Sequence, residues 1–292
     1  MSASREGSGE IRLLVSDVDG TLVTHDKRLT PRVQAAARMV HEAGITFAIT
    51  SSRPPFGLRM LIEPLGINTP IPAFNGGLIV TPDRLTPIEG NPVPVEVARR
   101  SVEFLYSRGV DIWLDTGTDW FVLNGAEAYV DHEIRTIQTA PKFLPNFDRA
   151  DVIERAYKLV GVSKDFDLLA RCEGELAAEL GASASVARSQ RYYLDVTHPL
   201  ANKGHALERL SQLLDIPRPA IAAIGDGRND MAMFAVAGLA IAMGNAEPAV
   251  QQSAAFVTAS NEEDGFALAV ERWILPRASA ARAVVPQNGR VQ

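Results

Sequence analysis

The sequence contains a single cysteine, Cys172, in 292 residues. One thiol excludes an internal disulfide framework and suits a reducing compartment, where a buried cysteine serves as a small apolar side chain. No apolar stretch is both long enough and free enough of charge to span a bilayer. The opening residues, MSASREGSGE, lack the apolar core of a secretory signal. There is no cluster of Lys and Arg, and the formal net charge is -6, which argues against nucleic acid as the main partner. Internal repeats and coiled-coil heptads are also missing. These absences lead to the expectation of a cytoplasmic globular protein with no membrane and no nucleic-acid partner. Its apolar fraction of 46% and charged fraction of 22% are ordinary for such a chain. The length allows a full core and two domains.

The stretch Ile11–Leu22, IRLLVSDVDGTL, organises the rest. Leu13-Leu14-Val15 reads as a buried parallel strand delivering Asp17 and Asp19 to the loop at its carboxyl end, with Gly20 allowing a close turn. Thr30-Pro31 starts a helix. Ile45–Ile49 is the next strand and carries Thr50, Ser51, Ser52 and Arg53 beyond its end. Ile71–Phe74 is a third strand candidate, followed by the turn Asn75-Gly76-Gly77. This strand–helix–strand rhythm predicts an α/β fold, with a Rossmann-like parallel sheet core. The polar, Pro-rich stretch after Val80 suggests a boundary, so the first part of the core is taken as 1–82. An α+β insert is expected over 83–187. It comprises a helix Val95–Ser107, strands Val110–Leu114 and Trp120–Asn124, a helix Arg149–Val160, a strand Phe166–Cys172 and a helix Glu173–Leu180. A hairpin is expected from Ser183–Ser189 and Tyr192–Val196. The core resumes over 188–292 with helix Lys203–Leu214 and strand Ala220–Ile224, which ends in Gly225-Asp226-Gly227-Arg228-Asn229-Asp230. A last helix is expected at Asp264–Leu275, and loose tails at 1–10 and 278–292.

Strand polarity therefore brings four polar loops to one edge of the sheet: Asp17/Asp19, Ser51 with its neighbours, Lys203, and Asp226/Asn229/Asp230. Two carboxylates aimed at one place repel unless a cation neutralises them or one carries a proton. Hard oxygen donors suit Mg2+. Lys203 can pair with a carboxylate or bind a phosphoryl oxygen as a point charge. Ser51 and nearby N–H groups can hold another phosphoryl oxygen. The set fits phosphoryl transfer better than peptide or glycoside hydrolysis.

DVDGT, Ser51-Ser52-Arg53, Lys203-Gly204 and GDGRND follow the order and spacing of the haloacid dehalogenase-like phosphatases. With Asn75-Gly76-Gly77 and the long insert after it, the chain resembles the Cof-type subgroup, whose cap lies between the second and third motifs. The resemblance spans about Ile11–Leu275. It implies Mg2+-dependent hydrolysis of small phosphomonoesters, especially sugar phosphates, through an aspartyl-phosphate. Asp17 would be the nucleophile, and Asp19 the acid that protonates the leaving alcohol and then the base that activates water. Ser51 would hold the phosphoryl group, although Ser52 replaces the family's usual Gly and makes Thr50 a competitor. Lys203 would steady the nucleophile and the phosphoryl charge. Asp17, Asp226, Asp230 and the backbone carbonyl of Asp19 would form the metal shell, with Asn229 in support. Ser52, Asn75 and Gly76 would face the substrate. Acid catalysis by Asp19 predicts a raised pKa, driven by Asp17.

The insert is expected to choose the substrate, and Trp113, Trp120, Arg135 and Lys142 could reach the cleft, although packing explains the tryptophans equally well. His25, Asp26 and Lys27 read as a solvated turn or a substrate contact. His41, His132, His198 and His205 lack partners at ligand spacing and read as surface or packing residues. A phosphomutase using the same intermediate and a non-catalytic phosphate-binding protein are the competing readings.

Overall fold

The computed structural model describes residues 9–123, 128–147 and 150–279. Asn124, Ala126 and Arg149, and the tails at 1–8 and 280–292, lie outside the described residues. The core is a five-stranded parallel sheet in the order Phe256–Val257, Leu239–Ala242, Ile221–Gly225, Leu13–Ser16, Thr46–Ile49. Leu13–Ser16 lies inside the sheet, and all four of its residues are buried. Its apolar run is unbroken because both faces are covered. Leu14 packs with Val33, Val40 and Phe266 on one face. Leu13 and Val15 pack with Leu207, Leu210 and Met233 on the other.

The helix Pro31–Glu42 opens where Thr30 accepts a hydrogen bond from the Val33 N–H and Pro31 fills the first turn. Ile71–Ala73 does not extend the parallel sheet as expected. It pairs antiparallel with Leu78–Val80, which in turn pairs with Pro87–Gly90. The reason is local. Phe74, Asn75 and Gly76 all take positive φ and reverse the chain within one turn, too short a connection for a parallel crossover.

The insert is built on a six-stranded sheet in the order Ser185–Gln190, Tyr193–Thr197, Lys158–Val162, Asp111–Asp115, Trp120–Val122, Lys142–Phe143. Two expectations fail here. Phe166–Leu180 is one helix, with no strand at Phe166–Cys172. Asp165 caps it by accepting from the Leu168 N–H, and Leu169, Cys172 and Leu176 are buried along one side. A short apolar run does not by itself separate strand from helix. The expected helix Arg149–Val160 shortens to Ala150–Ile153, and Lys158–Val162 becomes an interior strand with partners on both sides. The hairpin belongs to this sheet through Tyr193–Thr197 and its partner Lys158–Val162. A division at 187/188 therefore cuts through the strand Ser185–Gln190, and the sheet carries the insert on to Thr197.

Val130–Ile137 is a helix where the sequence gives no clear reading. The last helix is Gly265–Ala269, continued by wider π turns through Ile274. Among the described residues no helix is long and apolar enough to cross a membrane.

Candidate active site

The central strand ends at Ser16, and the Asp17 N–H donates to the Ile224 carbonyl at 2.9 Å. This bond fixes the first aspartate loop beside the loop after Ile221–Gly225. Lys203 is the first residue of the helix Lys203–Leu213, which Asn202 caps by accepting from the His205 N–H. A cation at a helix N-terminus opposes the helix dipole, so Lys203 needs carboxylate partners. Its Nζ donates to Asp17 Oδ1 and, at 2.6 Å, to Asp230 Oδ1, and all three side chains are buried. Gly204 brings this helix close to its neighbour Met231–Val236, since a Cβ there would lie 2.8 Å from the Ala232 carbonyl oxygen.

The other oxygen of Asp230 accepts from the N–H groups of Asp226 (2.9 Å) and Gly227 (2.8 Å) and folds their loop around it. Asp226 sits against Gly20. A Cβ at Gly20 would lie 2.2 Å from Asp226 Oδ2, and the backbone there has φ +79°, so glycine is required on both counts. Asn245 ties the two loops by donating to the Gly20 carbonyl (3.0 Å) and to Asp226 Oδ2 (3.1 Å).

Ligand oxygens of Asp17, Asp226 and Asp230 lie within 4.8 Å of one another. Three carboxylates and the one ammonium of Lys203 leave a formal charge of -2 in a buried space. Burial raises the Asp17 pKa well above its usual range, and Asp230 and Asp226 push the same way against Lys203. Burial and then Asp230 push Asp226 up to about 6. Burial opposes the charge on Lys203, but Asp17 and Asp230 outweigh it and raise its pKa. The donor set is all hard oxygen, and its spacing and excess charge suit one small divalent cation with metal–oxygen bonds of about 2.1 Å. The Asp19 carboxylate is not in this trio.

Asp19 faces the insert. Arg53 grips it with two bonds, Nε to Oδ2 and Nη2 to Oδ1, both 2.7 Å, and Lys27 adds a third at 2.7 Å. Burial alone would raise its pKa, but the Arg53 hydrogen bonds and charge, then Lys27, overcome this and drive it below the usual carboxylate range. The expectation of a raised value fails because these two cations, and no neighbouring carboxylate, are the dominant partners. Arg53 Nη1 also donates to the carbonyls of Gly57 and of Thr136 in the insert, both at 3.1 Å. Asp19 and Arg53 form one end of a chamber of about 110 Å3 between core and insert. Its other walls include Trp113, Asp115, Glu133 and Lys158.

The remaining expected residues divide between chamber and packing. Ser51 is buried, and its Oγ accepts from the Arg53 N–H at 3.1 Å. The Thr50 hydroxyl donates to the Pro72 carbonyl at 3.3 Å, which turns it from the competing role. Ser52 lines the chamber, and its carbonyl accepts from Lys158 at 3.4 Å. Asn75 accepts from Asn229 at 3.0 Å, whereas Gly76 packs on Ala206, where a Cβ would come within 2.7 Å. Trp113, Trp120 and His132 line the chamber. Arg135 is exposed, and Lys142 pairs with Asp119 at 2.6 Å; neither is a chamber wall. His41 bonds the Leu65 carbonyl and His198 receives the Leu200 N–H, so both serve local packing. Sequence reasoning missed Arg53 as the partner of Asp19 and also missed Asp115, Glu133, Lys158 and Tyr193. The alternation along Asp111–Asp115 could have signalled a chamber-facing edge.

The sequence profile of the haloacid dehalogenase-like hydrolases matches residues 14–270. The chain belongs to that family, in the Cof-type branch that its motifs resemble. It is 29% identical over 287 residues to a 5-amino-6-(5-phospho-D-ribitylamino)uracil phosphatase of Bacillus subtilis, covering 90% of this chain and 98% of that protein. It is 29% identical over 241 residues to an HMP-PP phosphatase of Cronobacter sakazakii, covering 81% of this chain and 85% of that protein. A crystal structure of a haloacid dehalogenase-like hydrolase from Bacteroides thetaiotaomicron superposes with a TM-score of 0.82 at 30% identity, covering 90% of this chain and 99% of that one.

Proposed function

We propose that this enzyme is a Mg2+-dependent phosphatase that hydrolyses small phosphomonoesters, sugar phosphates among them, through an aspartyl-phosphate on Asp17. The observation that carries the reading is the cluster of buried Asp17, Lys203 and Asp230 with half-buried Asp226, beside the chamber that Asp19 closes. Asp17, Asp226 and the Asp19 main-chain carbonyl would hold Mg2+, with Asp230 ordering the loop and completing the shell directly or through water. The cation supplies charge neutralisation for a phosphoryl dianion approaching a carboxylate.

Lys203 keeps Asp17 aimed and opposes the rise in its pKa that burial and the neighbouring carboxylates cause; with a bound cation adding to that effect, the Asp17 oxygen would attack phosphorus while the ester oxygen leaves. Ser51 Oγ, with neighbouring N–H groups, holds a phosphoryl oxygen. Asp19 starts as the partner of Arg53 and Lys27. An incoming phosphoryl dianion competes for those two cations. As they turn to it, the Asp19 pKa rises, the carboxylate takes up a proton from solvent or from the incoming phosphate monoanion, and it then delivers that proton to the leaving alcohol oxygen. Once product leaves, the carboxylate takes a proton from the water that cleaves the acyl phosphate. Small phosphorylated metabolites are the proposed partners, and the cytoplasm the proposed location.

Phosphate release from a phosphomonoester panel tests the assignment. Wild type with Mg2+ should turn over, chelation should stop it, and Asp17→Asn should lose at least about 10^3-fold in kcat. Equal release by wild type and Asp17→Asn would end the nucleophile assignment. Recovery of phosphate in an isomerised sugar, with little free phosphate, would favour a mutase.

A further inference from the structure

The roof of the chamber is one face of the insert's six-stranded sheet. Strand alternation puts Trp113 and Asp115 on that face, while Ile112 and Leu114 pack into the insert's own core. Trp113 is 2% exposed and Asp115 6%. The Trp113 indole N–H has no hydrogen-bond partner. Among the described residues none hydrogen-bonds the Asp115 carboxylate either. Lys158, directly opposite Asp115 in the strand register, is engaged elsewhere by Asp195 at 3.3 Å and the Ser52 carbonyl at 3.4 Å. Buried polar groups left unpaired cost stability, and native chains retain few of them. Here a donor and an acceptor stand two residues apart on the wall that faces Asp19 and Arg53.

We infer that Asp115 and Trp113 form a leaving-group subsite that takes an uncharged hydroxylated moiety and turns away a second anionic group. The inference rests on the phosphomonoester reading and names the part of the substrate that the core cluster leaves open. A carboxylate accepts and an indole N–H donates, and a hydroxyl group can answer either. Neighbouring hydroxyls on one carbon skeleton can therefore satisfy both. A second phosphate or a carboxylate in the same place meets Asp115 and Glu133. The chamber's cations are already matched: Arg53 and Lys27 pair with Asp19, and Lys158, whose charge also reaches Asp115, pairs with Asp195. Buried groups left unmatched by the wrong ligand give strong discrimination.

Matched substrate pairs test this on the full-length enzyme with Mg2+. The pairs are fructose 6-phosphate with fructose 1,6-bisphosphate, glucose 6-phosphate with 6-phosphogluconate, and glycerol 3-phosphate with 3-phosphoglycerate; p-nitrophenyl phosphate reports the chemistry alone. In the pair that wild type turns over best, kcat/KM should favour the neutral member by at least about tenfold. Asp115→Asn should narrow that preference by at least about tenfold, mainly through a lower KM for the anionic member. Trp113→Phe, which keeps the ring and removes only the donor, should raise KM for the neutral member. A general structural loss would move both members of a pair together. The subsite is overturned if wild type prefers the anionic member, or if Asp115→Asn leaves the ratio unchanged. It is equally overturned if p-nitrophenyl phosphate is hydrolysed while no member of any pair is. Absence of release from every compound, p-nitrophenyl phosphate included, counts against the phosphomonoester reading itself.

Discussion

The core cluster and the insert chamber treat buried charge in opposite ways. In the core, Asp230 accepts from Lys203 through one oxygen and from two backbone N–H groups through the other, and Lys203 is shared between Asp17 and Asp230. In the chamber, among the described residues, the buried Trp113 N–H has no partner and the Asp115 carboxylate, 6% exposed, accepts no hydrogen bond; behind it, one oxygen of Asp195 is also without a partner. A network paired this closely holds reacting atoms in one geometry. Unmatched groups weaken the free protein and retain their hydrogen-bonding capacity for a ligand. The difference separates two tasks: the core fixes a reaction, and the insert wall leaves selectivity to be completed by what binds. Removing a charge should therefore destabilise the core and stabilise the chamber.

The largest effect should come from Lys203→Met. It leaves Asp17 and Asp230 buried without their cation, and breaking such a pair costs about 3–5 kcal/mol. Denaturant unfolding should show that loss, and Mg2+ should restore more stability to this variant than to wild type, because it supplies the missing positive charge. A variant as stable as wild type without Mg2+ would show that the core pairing is not what holds these carboxylates.

Gly204→Ala tests the same network through packing. The added Cβ would meet the Ala232 carbonyl at 2.8 Å, a rigid neighbour. Shifting the helix to relieve it costs about 1–3 kcal/mol and moves Lys203, which is one residue away. Activity should fall by more than the thermal stability explains, with kcat affected more than KM. Unchanged kcat would separate Lys203 placement from this contact.

How much of this contrast was legible beforehand depends on how far apart the partners lie in sequence. The core loops were readable because each follows an apolar strand, and parallel strands send their carboxyl ends to one edge. That rule places Asp17, Ser51 and Asp226 together without coordinates, and the Lys203-Gly204 pair follows from register with them. It fails for Asp19, because its pKa is set by Arg53 and Lys27, whose bonds to it sequence spacing does not reveal. The insert was harder. The run from Phe166 to Cys172 suits a strand or a helix equally, and only the Asp165 cap and the later Leu176 decide. The Tyr193–Glu133 hydrogen bond joins residues sixty positions apart. Asp111-Ile112-Trp113-Leu114-Asp115 did carry a signal, since its polar and aromatic residues alternate with apolar ones, but alternation alone does not say what the second face meets.

Asp115→Asn gives the smallest effect and the sharpest contrast, because its sign is opposite to that of Lys203→Met. Burial, followed by the charges of Glu133 and Asp195, outweighs Lys158 and pushes the Asp115 carboxyl up to about 7. The unfolded chain gives up this proton near 3.8. Between those values the folded state binds the proton more tightly, so stability falls as pH rises through the window, and the full penalty is present above about 7. The amide carries no charge at any of these pH values and escapes the penalty. Asp115→Asn should thus gain stability over wild type on going from pH 5 to pH 8, by roughly 1–2 kcal/mol once Lys158 and solvent in the chamber soften the full gap. Thermal melts of both proteins across that range read the difference directly. A gain that is flat with pH, or larger at pH 5, would mean that Asp115 is not held as a strained charge. The contrast between a satisfied core and an unsatisfied chamber would then rest on the Trp113 N–H alone.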